Sequence, residues 1–134
     1  MHPISDQARA FTPLCGVDAA EISRVASAVE RWGRRFLDRV YTRAEQAYCG
    51  SNAPRLAGRF AAKEAISKVL GTGVGFVRWH DLEILPDLNG KPLVTLTGQA
   101  AELSRRLGLS EISVSITHSG DLALAFAVAI RSVE

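Results

Sequence analysis

Two acids stand apart in this chain. Asp18 lies where an apolar segment, Leu14-Cys-Gly-Val-Asp18, gives way to a helical pattern, and Glu64 lies in a second helical pattern among Phe60, Ala61, Ala62, Ala65 and Ile66. A carboxylate buried in such surroundings is costly unless something pairs with it. One Mg²⁺ ion would serve both acids, because it takes oxygen ligands, keeps several waters and is commonly held by one or two carboxylates together with substrate phosphates. Two plainer readings stay open. Asp18 would cap the helix that follows it, and Glu64 would pair with Lys68 one turn further on.

Other residues have chemistry to offer at lower specificity. Lys68 shares a helix face with Glu64, and Gly71-Thr72-Gly73-Val-Gly75 follows directly. This is neither a P-loop nor a dinucleotide-binding turn, since it ends a helix and carries no Gly-Lys-Ser/Thr. Its glycines would let backbone approach a phosphate closely, or would only stop the helix. His118 and Ser119 sit at a strand end, and Asn89-Gly90-Lys91-Pro92 sits at a hairpin. No second His or Cys stands at zinc-ligand spacing.

Composition narrows the classes. With 134 residues, 47% hydrophobic and 22% charged, the chain fits one globular domain over residues 11–134 behind a flexible leader over residues 1–10. No apolar run approaches the about 20 residues that span a bilayer, so no membrane partner is expected. Cys15 and Cys49 form no framework; both are expected to be reduced, buried spectators in a cytoplasmic protein. The net charge of +2 argues against a general nucleic-acid binder, and no aromatic stacking motif of the RNA-binding type is present. Basic residues are nevertheless concentrated locally, with Arg24, Arg31, Arg34, Arg35 and Arg39 against Glu30 and Asp38. That is either a solvated face or a surface for an acidic partner.

The elements that must position these groups read as follows. Leu14–Asp18 reads as a strand. Residues 21–32 have helical spacing, Gly33 interrupts it, and a second short helix is expected over 34–41. Thr42-Arg-Ala-Glu45 predicts a capping box. Ser51 or Asn52 as cap, with Pro54 in the first turn, opens the longest helix, which stops at Gly71. Trp79–Leu85 reads as a strand with Leu82 and Ile84 on one face. Asn89-Gly90 predicts a hairpin turn with positive φ at both residues, and 92–96 is the returning strand. Gly98–Leu107 reads as an amphipathic helix. Glu111–Thr117 and Leu122–Ile130 are two further strands joined by residues 118–121, the second of them buried. The expected fold class is α+β, a mainly antiparallel sheet packed against a long helix.

Taken together, these segments resemble the holo-acyl-carrier-protein synthase family, the short 4′-phosphopantetheinyl transferases. Gly16-Val-Asp18-Ala-Ala-Glu21-Ile-Ser-Arg24 resembles its opening motif, and residues 35–45 look like its next block. Ala57-Gly-Arg59-Phe60-Ala-Ala-Lys63-Glu64-Ala-Ile-Ser-Lys68-Val-Leu-Gly71-Thr72-Gly73 resembles its most diagnostic stretch. Asp81-Leu-Glu83-Ile, Asn89-Gly90-Lys91-Pro92 and Val114-Ser115-Ile-Thr117-His118-Ser119 follow in the family's order, so the likeness covers residues 14–130. Two departures are mild: Ala19-Ala20 stands where bulkier residues are usual, and the leader precedes the family's usual start.

The resemblance implies the 4′-phosphopantetheinyl transferase fold and a reaction. A carrier-protein serine attacks the β-phosphate of coenzyme A, giving the phosphopantetheinyl carrier and adenosine 3′,5′-bisphosphate. It further implies that Asp18 and Glu64 hold Mg²⁺, and that Lys68 and the Gly71-Thr72-Gly73 turn contact phosphates. Arg59 and His118 would lie at the 3′-phosphate and Asn89–Pro92 at the adenine, with Ser119 also among the coenzyme-binding residues. Arg24, Phe36 and Arg39 would dock an acidic acyl carrier protein, which places the chain in lipid metabolism such as fatty-acid biosynthesis. Either Glu64 or a metal-bound water would take the serine proton. Because short members resemble half of the longer two-lobed transferases, a homotrimer with sites between subunits is implied. The competing reading is a non-catalytic module that binds carrier protein or coenzyme A; retention of Asp18, Glu64 and Lys68 together argues against it.

Overall fold

The structure is a computed structural model that describes residues 10–132. All but Ala10 of the expected leader therefore lies outside the described residues. Strand β1 (Phe11–Glu21) leads into helices α1 (Ile22–Trp32), α2 (Arg34–Val40), α3 (Arg43–Cys49) and α4 (Ala53–Val69). A 3₁₀ turn (Trp79–Asp81) precedes the β2 (Leu82–Pro86) and β3 (Pro92–Leu96) hairpin, and α5 (Gly98–Leu107) leads to β4 (Ser113–Ser119) and β5 (Leu122–Ser132). The α+β architecture with antiparallel pairing is as expected. There are, however, two sheets: a three-stranded one in the order β1-β5-β4, and the separate β2-β3 pair.

Helix α4 lies across the inner face of the larger sheet. It can lie close because that face is built from small side chains. β5 contributes Ala123, Ala125, Ala127 and Ala129, all buried, and α4 answers with buried Ala57, Ala61 and Ala65. Two glycines bring the layers closer still. A Cβ at Gly16 on β1 would lie 2.2 Å from the Ala65 carbonyl oxygen and 2.8 Å from Lys68 Cβ. A Cβ at Gly58 on α4 would lie 3.0 Å from Ile116 Cγ2 and 3.3 Å from His118 Nε2. Since α1, α3 and β2 also touch α4, it is covered nearly all round, as a helix with small and apolar residues on every side must be.

The local signals operate as chemistry requires. Thr42 Oγ1 accepts from Glu45 N, and Glu45 Oε1 accepts from Thr42 N, which completes the capping box. Asn52 Oδ1 accepts from Arg55 N at the start of α4. The same Glu45 oxygen, Oε1, meets Lys63 Nζ in a fully buried ion pair at 2.8 Å. Lys63 Nζ also donates to the carbonyls of Trp79 (2.9 Å) and Leu82 (2.6 Å), and Glu45 Oε2 accepts from Ile84 N (2.7 Å). Every donor of the ammonium is used, so this pair ties α3, α4 and β2 together. Burial lowers the Lys63 pKa, and Glu45 opposes that shift.

Several expectations need correction. The first strand runs six residues beyond Leu14–Asp18 in total, from Phe11 to Glu21. Trp79–Asp81 is a 3₁₀ turn rather than the start of a strand. Gly90 has φ 86, but no non-glycine residue among those described has positive φ, so Asn89 does not. Instead, Asp87 Oδ1 accepts from the backbone of Asn89 and Lys91, which builds a longer loop than the two-residue turn expected. β4 begins at Ser113 rather than Glu111, and the turn to β5 is only Gly120-Asp121, with Gly120 at φ 59. β5 is buried on one face only: Leu122, Phe126 and Ile130 are exposed on the other. Cys15 is likewise exposed, whereas Cys49 is buried.

Candidate active site

The crossing of β1 over α4 sets one acid against the other. Asp18 is on the inner face of β1, the face that carries Gly16, and Glu64 and Lys68 are one turn apart on α4. Lys68 Nζ reaches across to donate to Asp18 Oδ1 at 3.2 Å and to the Val17 carbonyl at 2.8 Å. Both plainer readings of the acids are thereby replaced. Lys68 pairs with Asp18, not Glu64. Asp18 does not cap α1, whose N-cap residue is Glu21 without a side-chain bond. That helix is held instead by Asp121, which accepts from Ser23 N at 3.0 Å and Ser23 Oγ at 2.5 Å.

Glu64 is half-buried, and its pKa is raised. Burial is the largest cause and the negative charge of Asp18 the next, with Lys68 pulling the other way. Two carboxylates in mutual repulsion form an environment that a cation relieves. Among the described residues no three His, Cys, Asp or Glu side chains cluster as a metal cage. The donor set fits an ion that completes its shell with water and ligand oxygens, as Mg²⁺ does.

Beyond Lys68 the helix ends at a tight turn. Thr72 N donates to the Ser67 carbonyl at 3.0 Å, and Gly71 has φ 77. A Cβ at Gly71 or Gly73 would meet nothing within 4 Å, so the turn is open to a ligand on its outer side. His118 and Arg59 are at the other end of α4. His118 Nε2 donates to the Pro54 carbonyl at 2.9 Å, which leaves Nδ1 as the free ring nitrogen; Ser119 next to it is exposed. Arg59 is only 6% exposed, donates from Nε to the Ile84 carbonyl at 3.3 Å and stacks over Tyr48 at 4.6 Å. Arg59 and Lys68 are nine residues apart on one helix, roughly 13 Å along its axis. No hydrogen bond or ion pair among the described residues links the Asn89–Pro92 segment to Asp18, Glu64 or Lys68. The chain therefore brings Asp18, Glu64, Lys68 and the glycine turn together, and leaves Arg59, His118 and the hairpin apart from them.

A model of the 4′-phosphopantetheinyl transferase superfamily matches residues 14–127. The chain belongs to that superfamily. The holo-[acyl-carrier-protein] synthase of Herpetosiphon aurantiacus is 48% identical over 120 residues, covering 84% of this chain and 94% of that protein. The enzyme of the same name from Desulforudis audaxviator is 45% identical over 122 residues, covering 89% and 93%. The crystal structure of Helicobacter pylori holo-[acyl-carrier-protein] synthase in complex with coenzyme A superposes with a TM-score of 0.80 at 32% identity, covering 87% of this chain and 99% of that one. The family read from the motifs and the transferase fold both hold.

In this transferase a cleft of about 590 Å³ opens directly after Asp18, lined by Ala19, Ala20, Arg24, Phe36 and Phe60 among others. Phe36 stacks on Phe60 at 6.3 Å, and Phe60 packs on Trp79 at 5.0 Å. Phe60 is one turn before Glu64, so the aromatic floor runs up to the acids. Arg24 is exposed on its wall, and Arg39, also exposed, lines a neighbouring cleft that shares Phe36. The positions that sequence reasoning passed over are Gly16 and Gly58, which set the helix-to-sheet distance, and the Lys63–Glu45 pair. A glycine within a strand does signal close backbone approach, but nothing local distinguishes a buried Lys63 from a solvated one.

Proposed function

We propose that this protein transfers the 4′-phosphopantetheine arm of coenzyme A to a serine of an apo acyl carrier protein, with Mg²⁺, and releases adenosine 3′,5′-bisphosphate. The observation that carries this reading is the meeting of Asp18 with Glu64 and Lys68 where β1 crosses α4. Asp18 and Glu64 would hold Mg²⁺, which when bound polarises the phosphorus and neutralises charge on the leaving group.

The chain's own residues do the rest. Lys68, whose ammonium donates to Asp18 here, would turn it to the pyrophosphate. The Gly71-Thr72-Gly73 turn offers backbone at the open side. The serine Oγ forms its bond to the β-phosphorus as the bond to the bridging oxygen breaks, and that electron pair leaves with the bisphosphate. The serine proton goes to Glu64 or to water beside it. Such a transfer is mostly positioning and charge neutralisation, which two acids, a lysine and a glycine turn are suited to supply.

The active assembly is a homotrimer. Its support is the outer face of the larger sheet, where Val17, Phe126 and Ile130 are 46–55% exposed and form a contiguous apolar surface. The separation of Arg59, His118 and Asn89–Pro92 from Lys68 supports the same reading, since a neighbouring subunit would bring its copies to the coenzyme. The carrier protein is acidic and docks on Arg24, Phe36 and Arg39. Two unpaired cysteines suit a cytoplasmic setting, and no helix among the described residues is long and apolar enough to cross a membrane. The test is release of adenosine 3′,5′-bisphosphate from coenzyme A, followed by chromatography. Release should require both Mg²⁺ and apo carrier protein and be absent in Asp18→Asn; release without the carrier would mean simple hydrolysis and would sink the reading.

A further inference from the structure

Four guanidinium groups on one side of the molecule have no acidic partner among the described residues. Arg35, Arg39, Arg43 and Arg78 are exposed, and none enters an ion pair or a side-chain hydrogen bond. The acid nearest to hand, Asp38, is already engaged by Arg34 at 3.2 Å and by Gln46 at 3.1 Å. The whole chain carries a net charge of only +2, so this positive density is local. Like charges held together without compensation raise the potential of the surface they line.

The arrangement is also held in place. His80 Nε2 donates to the Asp38 carbonyl, which fastens the 3₁₀ turn to α2 and sets Arg78 beside Arg39. Three open clefts then share their walls. Arg35 and Arg39 line the first with Phe36, Arg39 and Arg78 line the second with His80, and His80 and Arg43 line the third. Phe36 also lines the cleft that opens after Asp18, so the basic track continues from the catalytic crossing.

We propose that Arg43 and Arg78 extend the docking surface of Arg24, Phe36 and Arg39 along this track, and that they receive a further acidic face of the carrier protein. This rests on the transfer reading above. The charges are spread over two helices and a turn along open clefts, which fits the side of a folded acidic protein better than a single phosphate. Docking along both stretches fixes the carrier's orientation as well as its position, so its serine is presented towards Glu64.

The experiment is steady-state transfer by the full chain with Mg²⁺, varying apo carrier protein and coenzyme A separately, for the unaltered protein and for the double variant Arg43→Glu/Arg78→Glu. Charge reversal at the edge of an interface acts mainly on association and its salt dependence, so KM for the carrier should rise about tenfold with a flatter response to salt. KM for coenzyme A and kcat should be unchanged, and Arg43→Lys/Arg78→Lys should behave like the unaltered protein. Arg105→Glu on α5 should change nothing. A rise in KM for coenzyme A instead would make the track part of the donor site and overturn the proposal. Unchanged constants in the double variant, with the unaltered protein active, would also overturn it while leaving the transfer reading intact. An inactive unaltered protein would refute that reading itself.

Discussion

Gly16 and Ala65 are in a contact that no other residue at position 16 can make. A side-chain carbon there would stand 2.2 Å from the Ala65 carbonyl oxygen, well inside van der Waals contact, and backbone cannot swing aside as a flexible side chain can. The absent Cβ is what lets β1 press on α4 and brings Asp18 within 3.2 Å of Lys68. Gly16→Ala should therefore separate the two halves of the site. We expect a loss of about 1–3 kcal/mol in stability from overpacking, read by denaturant unfolding, together with a weaker apparent Mg²⁺ affinity. Wild-type Mg²⁺ dependence in a folded Gly16→Ala protein would show that the close approach does not set the site.

Neighbours Lys63 and Glu64 should respond in opposite ways. Lys63→Met leaves Glu45 buried and unpaired, which should cost about 3–5 kcal/mol. Glu64 has a raised pKa in the fold. For an acid so shifted, the stabilising contribution is present below the unfolded pKa and is lost as pH rises through the folded one. At neutral pH without Mg²⁺ its charge works against the fold, so Glu64→Gln should unfold at the same or higher denaturant concentration while losing transfer. Equal destabilisation by the two substitutions would contradict this division between scaffold and site.

The same contrast shows what could be read from residue order alone. Thr42-x-x-Glu45 and Asn52 with Pro54 act within one turn of chain, and both caps form as their spacing predicts. Lys63 and Glu64 differ only in which way they point from a helix covered on all sides, and that depends on what the rest of the chain packs there. The apparent misfit, Glu64, is half-buried, and the ordinary-looking Lys63 is fully enclosed. Strand β1 extends beyond the segment its alternation marks, because both of its faces carry apolar residues and the pattern fades at its ends. The aspartate at 87 captures the backbone of Asn89 and Lys91, and Asn89 has no positive φ; the capture is local, but it lies just outside the two residues that read as the turn.

The outer face of the larger sheet predicts oligomeric state. Val17 pairs with Phe126 across β1 and β5, and both are exposed in one chain. Sedimentation should give the mass of three chains, and Phe126→Asp should give one chain, folded by circular dichroism and inactive. A fully active single-chain form would remove the interfacial site from the account.

One of the two thiols reports on the same face. Burial pushes the Cys49 thiol up to about 11, with Arg59 opposing, so at pH 8 it should resist a thiol reagent until the protein unfolds. Because this pKa lies above the ordinary 9.0, the corresponding stability is present below that value and lost as pH rises towards 11. Cys15 is exposed on the outer face, so it should react quickly in Phe126→Asp and slowly in the assembled protein. Equal rates in the two would argue against assembly through this surface.

The most direct measurement is the intact mass of an apo acyl carrier protein after incubation with this protein, coenzyme A and Mg²⁺. The carrier should gain one phosphopantetheine group on its serine. The gain should vanish with EDTA and in Asp18→Asn and Glu64→Gln, both of which should remain folded by circular dichroism. An unmodified carrier in the complete mixture, or full modification by either acid variant, would contradict the claim that these two carboxylates at the β1–α4 crossing carry the transfer.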